Sequence, residues 1–61
     1  MIARFDVYGS TPAELTAAAD SEAHKAFDQR VPRSNIHIEA EAIQLMNGDI
    51  VGWVGSVTVH A

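Results

Sequence analysis

Between Asn35 and Ala61 hydrophobic and polar residues alternate along two arms that meet at Met46-Asn47-Gly48-Asp49. Period-two alternation on both sides of an Asn-Gly pair is the pattern of a β-hairpin, because Asn and Gly accept the positive φ angles of a two-residue type I′ turn. If Met46 faces Asp49, the register sets Leu45 opposite Ile50, Ala42 opposite Trp53, Ala40 opposite Gly55, Ile38 opposite Val57 and Ile36 opposite Val59. One face then carries Ile36, Ile38, Ala40 and Ala42 with Val51, Trp53, Gly55, Val57 and Val59. The other carries His37, Glu39 and Glu41 with Val54, Ser56, Thr58 and His60. Turn and alternation specify the same register, and a slip of one residue would turn every side chain to the wrong face.

Upstream, Ile2 to Tyr8 alternates as well, with Ala3, Phe5 and Val7 on one side and Ile2, Arg4, Asp6 and Tyr8 on the other, which predicts a half-buried strand. Gly9-Ser10 interrupts it. Thr11-Pro12-Ala13-Glu14 then predicts a helix start, with Thr11 as N-cap, Pro12 in the first turn and Glu14 closing a capping box. The helix is expected from Pro12 to about Asp28. Its inward stripe is Leu15, Ala18 or Ala19, Ala23, Ala26 and Phe27, while Asp20, Glu22, Lys25 and Asp28 form a solvated face and His24 is expected to be exposed. Pro32 disfavours helix at Val31, so Arg30 to Asn35 reads as the loop into the hairpin.

The order is β-α-β-β, an α+β domain in which all-antiparallel neighbours require strand order 2-3-1, with the helix on one face of a three-stranded sheet. The parallel alternative would pair strands 1 and 2 through a right-handed crossover. A single sheet with a single helix leaves its second face uncovered. Near the turn that face is expected to show Ile43, Leu45, Ile50 and Val54, and an exposed apolar patch marks an interface. The plainer reading is a hairpin tip that curls over its own helix by a bulge and buries part of this set.

The chain of 61 residues has room for one domain, residues 1–61, and one thin core. Alanine supplies much of the hydrophobic content, so the large apolar set is short: Phe5, Val7, Leu15, Phe27, Ile36, Ile38, Val51, Trp53, Val57 and Val59. There is no cysteine, which removes a disulfide and a thiolate zinc site as staples and leaves self-association as the common remaining solution. A net charge of −4, with only Arg4, Lys25, Arg30 and Arg33 as cations, argues against a nucleic-acid partner. No apolar run approaches the roughly 18 residues that span a bilayer. The opening Met-Ile-Ala-Arg-Phe-Asp lacks a signal-peptide layout, so no membrane partner and a cytoplasmic location are expected.

Candidate chemistry is sparse. His37 and His60 share the polar part of the second face with Glu39, and two imidazoles with a carboxylate could hold a divalent transition metal. The plainer reading is a polar strand surface whose members are neighbours. Glu39 and Glu41 suggest acid-base chemistry only if a pocket accompanies them, and otherwise discourage wrong sheet pairing. Trp53 lies on the face of Val51 and Val57, so it reads as core before it reads as a stacking platform.

In length and element order the chain resembles the dodecins, bacterial flavoproteins whose β-α-β-β protomers build hollow dodecamers. The resemblance runs through Arg4 to Gly9, the Thr-Pro capped helix and the arms around Leu45-Met46-Asn47-Gly48. It implies a shell of copies. The flavin-stacking Trp and flavin-binding Gln of that family correspond to about Asn35 and Val54 here, so the resemblance brings no cofactor with it. The strand Gly52-Trp53-Val54-Gly55-Ser56-Val57 is also similar to small accessory proteins of actinobacterial phages, which implies a host-binding or scaffold role. Three functions follow as expectations: a non-enzymatic homo-oligomeric binding or structural protein, a protein that sequesters a small molecule between protomers, and a metal-dependent hydrolase using His37, Glu39 and His60.

Overall fold

The computed structural model describes residues 1–61 as β1 (Ile2–Gly9), α1 (Pro12–Phe27), a single 3₁₀ turn (Arg33–Asn35), β2 (Ile36–Gln44) and β3 (Ile50–His60). Both sheet pairings are antiparallel and the strand order is β1-β3-β2, so the α+β arrangement expected from the sequence is the one observed. The central strand is the last in sequence because a hairpin partner and an antiparallel β1 can both reach only β3.

The helix begins as its sequence dictates. Thr11 holds an extended conformation and its Oγ1 accepts the Glu14 backbone N–H at 3.2 Å, while the Glu14 carboxylate accepts the Ser10 N–H at 2.8 Å. These two bonds satisfy donors that a helix start otherwise leaves unpaired. The helix ends one residue earlier than expected, because Asp28 takes the left-handed conformation with φ 51°. There Asp28 N–H donates to Lys25 O and Gln29 N–H to His24 O, a Schellman-type end that stops the helix before Pro32 can.

The core lies between α1 and one sheet face: Val7, Leu15, Ala19, Ala23, Val31, Val57 and Val59 are buried, with Phe5, Ala18, Phe27, Ile36, Ile38 and Trp53 packed against them. Trp53 thus takes the core position its strand face implied. Gly9 and Gly55 let the helix lie close: a Cβ on Gly9 would sit 2.5 Å from the Leu15 backbone nitrogen, and one on Gly55 3.3 Å from the Leu15 side chain. Five positions differ from the sequence reading. Ala26 and Ala40 are exposed, His24 is half-buried and Val31, expected in a loop, is in the core. Val51 is exposed rather than buried.

The fate of Val51 follows from the turn. Gly48 alone has a positive φ, of 92°, and Asn47 does not, so the expected type I′ turn does not form. Instead Gly48 N–H donates to Leu45 O and Leu45 N–H to Asp49 O, the three-residue loop in which a glycine follows a type I turn. This loop makes Gln44 face Ile50, whereas Ile43 faces Gly52 and all pairs farther from the turn keep the expected register. Val51 is therefore the extra residue of a β-bulge. The longer loop and the bulge cancel, and the core register survives.

β1 ends opposite Trp53, so the hairpin beyond that row projects past β1. The molecule is accordingly long and narrow, 41 × 16 × 15 Å. No helix is long and apolar enough to cross a membrane.

Candidate functional site: the open face of the sheet

The face turned away from the helix is built in rows, because residues paired across antiparallel strands point to the same side. From the chain ends toward the hairpin tip, the rows are Ile2–His60, Arg4–Thr58–His37, Asp6–Ser56–Glu39, Tyr8–Val54–Glu41 and Gly52–Ile43. Position along the strands thus sorts the chemistry. Basic and imidazole side chains lie toward the chain ends, carboxylates lie in the middle, and apolar groups extend to the tip.

Within the middle rows Ser56 Oγ donates to Asp6 Oδ1 at 3.1 Å. Asp6, Ser56, Glu39, Glu41 and Val54 line one shallow, open trough. Tyr8 lies over Gly52, whose missing side chain it replaces: a Cβ there would meet the Tyr8 ring at 2.8 to 3.1 Å. Gly52 is buried in consequence, while Tyr8 keeps an exposed outer side.

The expected metal trio is not assembled. His37 Nε2 lies 3.6 Å from Glu39 Oε1, with both side chains largely in solvent, but His60 belongs to the row of Ile2. No three His, Cys, Asp or Glu side chains converge on a point where they could hold a metal. The reason is spacing: His60 lies beyond the Arg4–Thr58–His37 row, two rows from Glu39, and the strand pleat holds both side chains upright.

The expected apolar set is divided. Ile43 and Leu45 stay on the open face toward the tip, and Val54 lies among them. Ile50 faces Gln44 because of the bulge, so it points to the opposite side of the hairpin. Ile43, Leu45, Ile50 and Val54 are all exposed, as are Met46 and Val51 at the tip and Ile2 and Tyr8 on the open face. The projecting hairpin is therefore apolar on both sides. Asn35 closes the 3₁₀ turn and Val54 stands in the open face.

The alternation of β1 puts Arg4, Asp6 and Tyr8 on the side away from the core, and the structure sets them beside Thr58, Ser56 and Val54 on this surface. The bulge in the plainer reading of the hairpin tip forms, at Val51, but it does not bury the apolar set: Ile43, Leu45, Ile50 and Val54 remain exposed. Gly52 inside a strand is the signal for its position. No protein-family model, curated protein or solved structure matches this chain.

Proposed function

We propose that this chain is a non-enzymatic protein that works as a homo-oligomer, binding or scaffolding through surfaces that copies of it share. The observation that carries this reading is the uncovered sheet face. A core of seven hydrophobic residues lies under one helix, while Ile2, Tyr8, Ile43, Leu45 and Val54 remain exposed on the other side and Ile50 and Met46 at the tip. A chain this short buries a small share of its surface alone, and with no cysteine no disulfide compensates. Covering the open face with a second copy converts a single-layer sheet into a two-layer sandwich, the commonest way for such a face to leave water. A dodecin-like shell is one closed assembly that would also shelter the projecting tips.

Size-exclusion chromatography with multi-angle light scattering over a dilution series tests this. The expected mass is a multiple of one chain, falling on dilution or on replacement of Ile43 and Leu45 by serine. The mass of one chain at every concentration overturns the reading.

A further inference from the structure

We infer that two copies pack open face to open face with strands antiparallel, about a two-fold axis that crosses the strands between the Arg4–Thr58–His37 row and the Asp6–Ser56–Glu39 row. The inference rests on the self-association proposed above and specifies its geometry.

Charge order selects the arrangement. A two-fold axis running along the strands would set each row on itself with β1 over the partner's β2. Asp6 would then face the partner's Glu39, and Arg4 the partner's His37. An axis crossing the strands sets each strand over its own counterpart and leaves the register open. Registers centred nearer the tip put Glu39 or Glu41 against a carboxylate, or against Ile43 or Leu45. Registers centred nearer the chain ends put Arg4 against itself or Ile2, or leave it facing nothing. Like charges held together and charges pressed on apolar groups both cost free energy.

The remaining register is complementary across its two central rows; in the outer rows His60 meets the partner's Val54 and Glu41 lies past the end of the partner's β2, in solvent. Arg4 faces the partner's Asp6, the His37 imidazole faces the partner's Glu39 carboxylate, Thr58 faces the partner's Ser56 and Ile2 faces the partner's Tyr8. Two-fold symmetry repeats each pair, as a self-complementary interface requires. Arg4 and Asp6 are exposed and join none of the three ion pairs of the chain. Asp6 keeps a second carboxylate oxygen beside the one bonded to Ser56. The solvent-exposed His37–Glu39 contact within each chain is exchanged for contacts between chains. Short Thr58 and Ser56 on the central strand leave room for Arg4 and Tyr8 beside them at the roughly 10 Å separation of packed sheets. Ile43 then reaches the partner's chain ends, and Leu45 projects beyond them.

Mixing distinguishes this register from any other mode. Arg4→Glu faces carboxylate with carboxylate at both symmetry-related sites, and Asp6→Arg faces guanidinium with guanidinium. Each variant alone is expected to dimerise about tenfold more weakly, or worse. An equimolar mixture of the two pairs opposite charges at both sites and is expected to return to within about threefold of wild type. The chain carrying both substitutions pairs correctly with itself and is expected to do the same, with far-UV circular dichroism confirming that each variant is folded. Folded variants that associate like wild type, or that are weakened but not rescued by mixing or by the double substitution, overturn the register while leaving self-association standing. A monomeric wild type overturns both.

Discussion

Single-residue deletions in β3 should divide sharply by position, and the bulge says where. Removing Val51 leaves Gln44 facing Ile50 and Ile43 facing Gly52, now as consecutive pairs in an uninterrupted ladder, with no other side chain changing face. Val51 is 48% exposed, so the burial lost is about half that of a valine, on the order of 1 kcal/mol. Removing Ser56 instead shifts Val57 to His60 by one place against both neighbours. Val57 and Val59, 1% and 0% exposed, leave the core, and Thr58 and His60 are driven toward it. Two valines at about 1.5 to 3 kcal/mol each exhaust most of the roughly 3 to 9 kcal/mol that a chain of this length holds in reserve. Urea unfolding followed by far-UV circular dichroism, at fixed protein concentration because association adds to apparent stability, reads the difference. The Val51 deletion is expected to unfold cooperatively within about 1 kcal/mol of wild type, and the Ser56 deletion to show no folded baseline. Equal damage from both, or a folded Ser56 deletion, would refute the bulge assignment.

Two glycines should fail for different reasons in the same assay. Gly9→Ala places a Cβ 2.5 Å from the Leu15 backbone nitrogen and 2.9 Å from two more backbone atoms of that turn, and since a capped helix start cannot yield as a side chain would, a loss of about 3 kcal/mol is expected. Gly48→Ala meets nothing within 4 Å but must hold φ 92°, so about 1 kcal/mol is expected from backbone strain alone; a larger loss there than at Gly9 would contradict both explanations.

Most of the fold was legible because independent local signals agreed. The Thr11–Glu14 box, the alternation of Ile2 to Tyr8 and the alternation of the hairpin arms each specify one element, and antiparallel pairing leaves one strand order. The turn was misread because Asn-Gly suits two loops: Asn47 at positive φ in a two-residue loop, or Asn47 at ordinary φ with Gly48 as the single left-handed residue. Side-chain chemistry does not separate these. The Asn47 side chain accepts the Asp49 N–H at 3.0 Å, a local bond that supports the longer loop. Val31 was hidden for another reason. A lone apolar residue beside Pro32 has no periodicity, and it enters the core only because the Asp28 end turns the chain back under the helix.

The metal trio and the open face differ in what the hairpin says by itself. His37, Glu39 and His60 share a face but not a point, because the hairpin register alone puts His60 two rows from Glu39. Placing β1 against β3 sets Arg4 beside Thr58 and Asp6 beside Ser56, which turns a patch of mixed polar residues into an ordered sequence of charge along the strands. Such an order is weak as a source of affinity, since exposed ion pairs contribute about 0.2 to 1 kcal/mol each. It is effective at rejecting wrong alignments, because each misplaced row sets like charges or charge and hydrocarbon together. The apolar tip has the opposite character: Ile43, Leu45 and Met46 offer area without direction. The two ends of the hairpin therefore differ in kind: the polar rows would choose one register in the proposed pair, and the tip, which projects beyond that pair, leaves apolar area outside it.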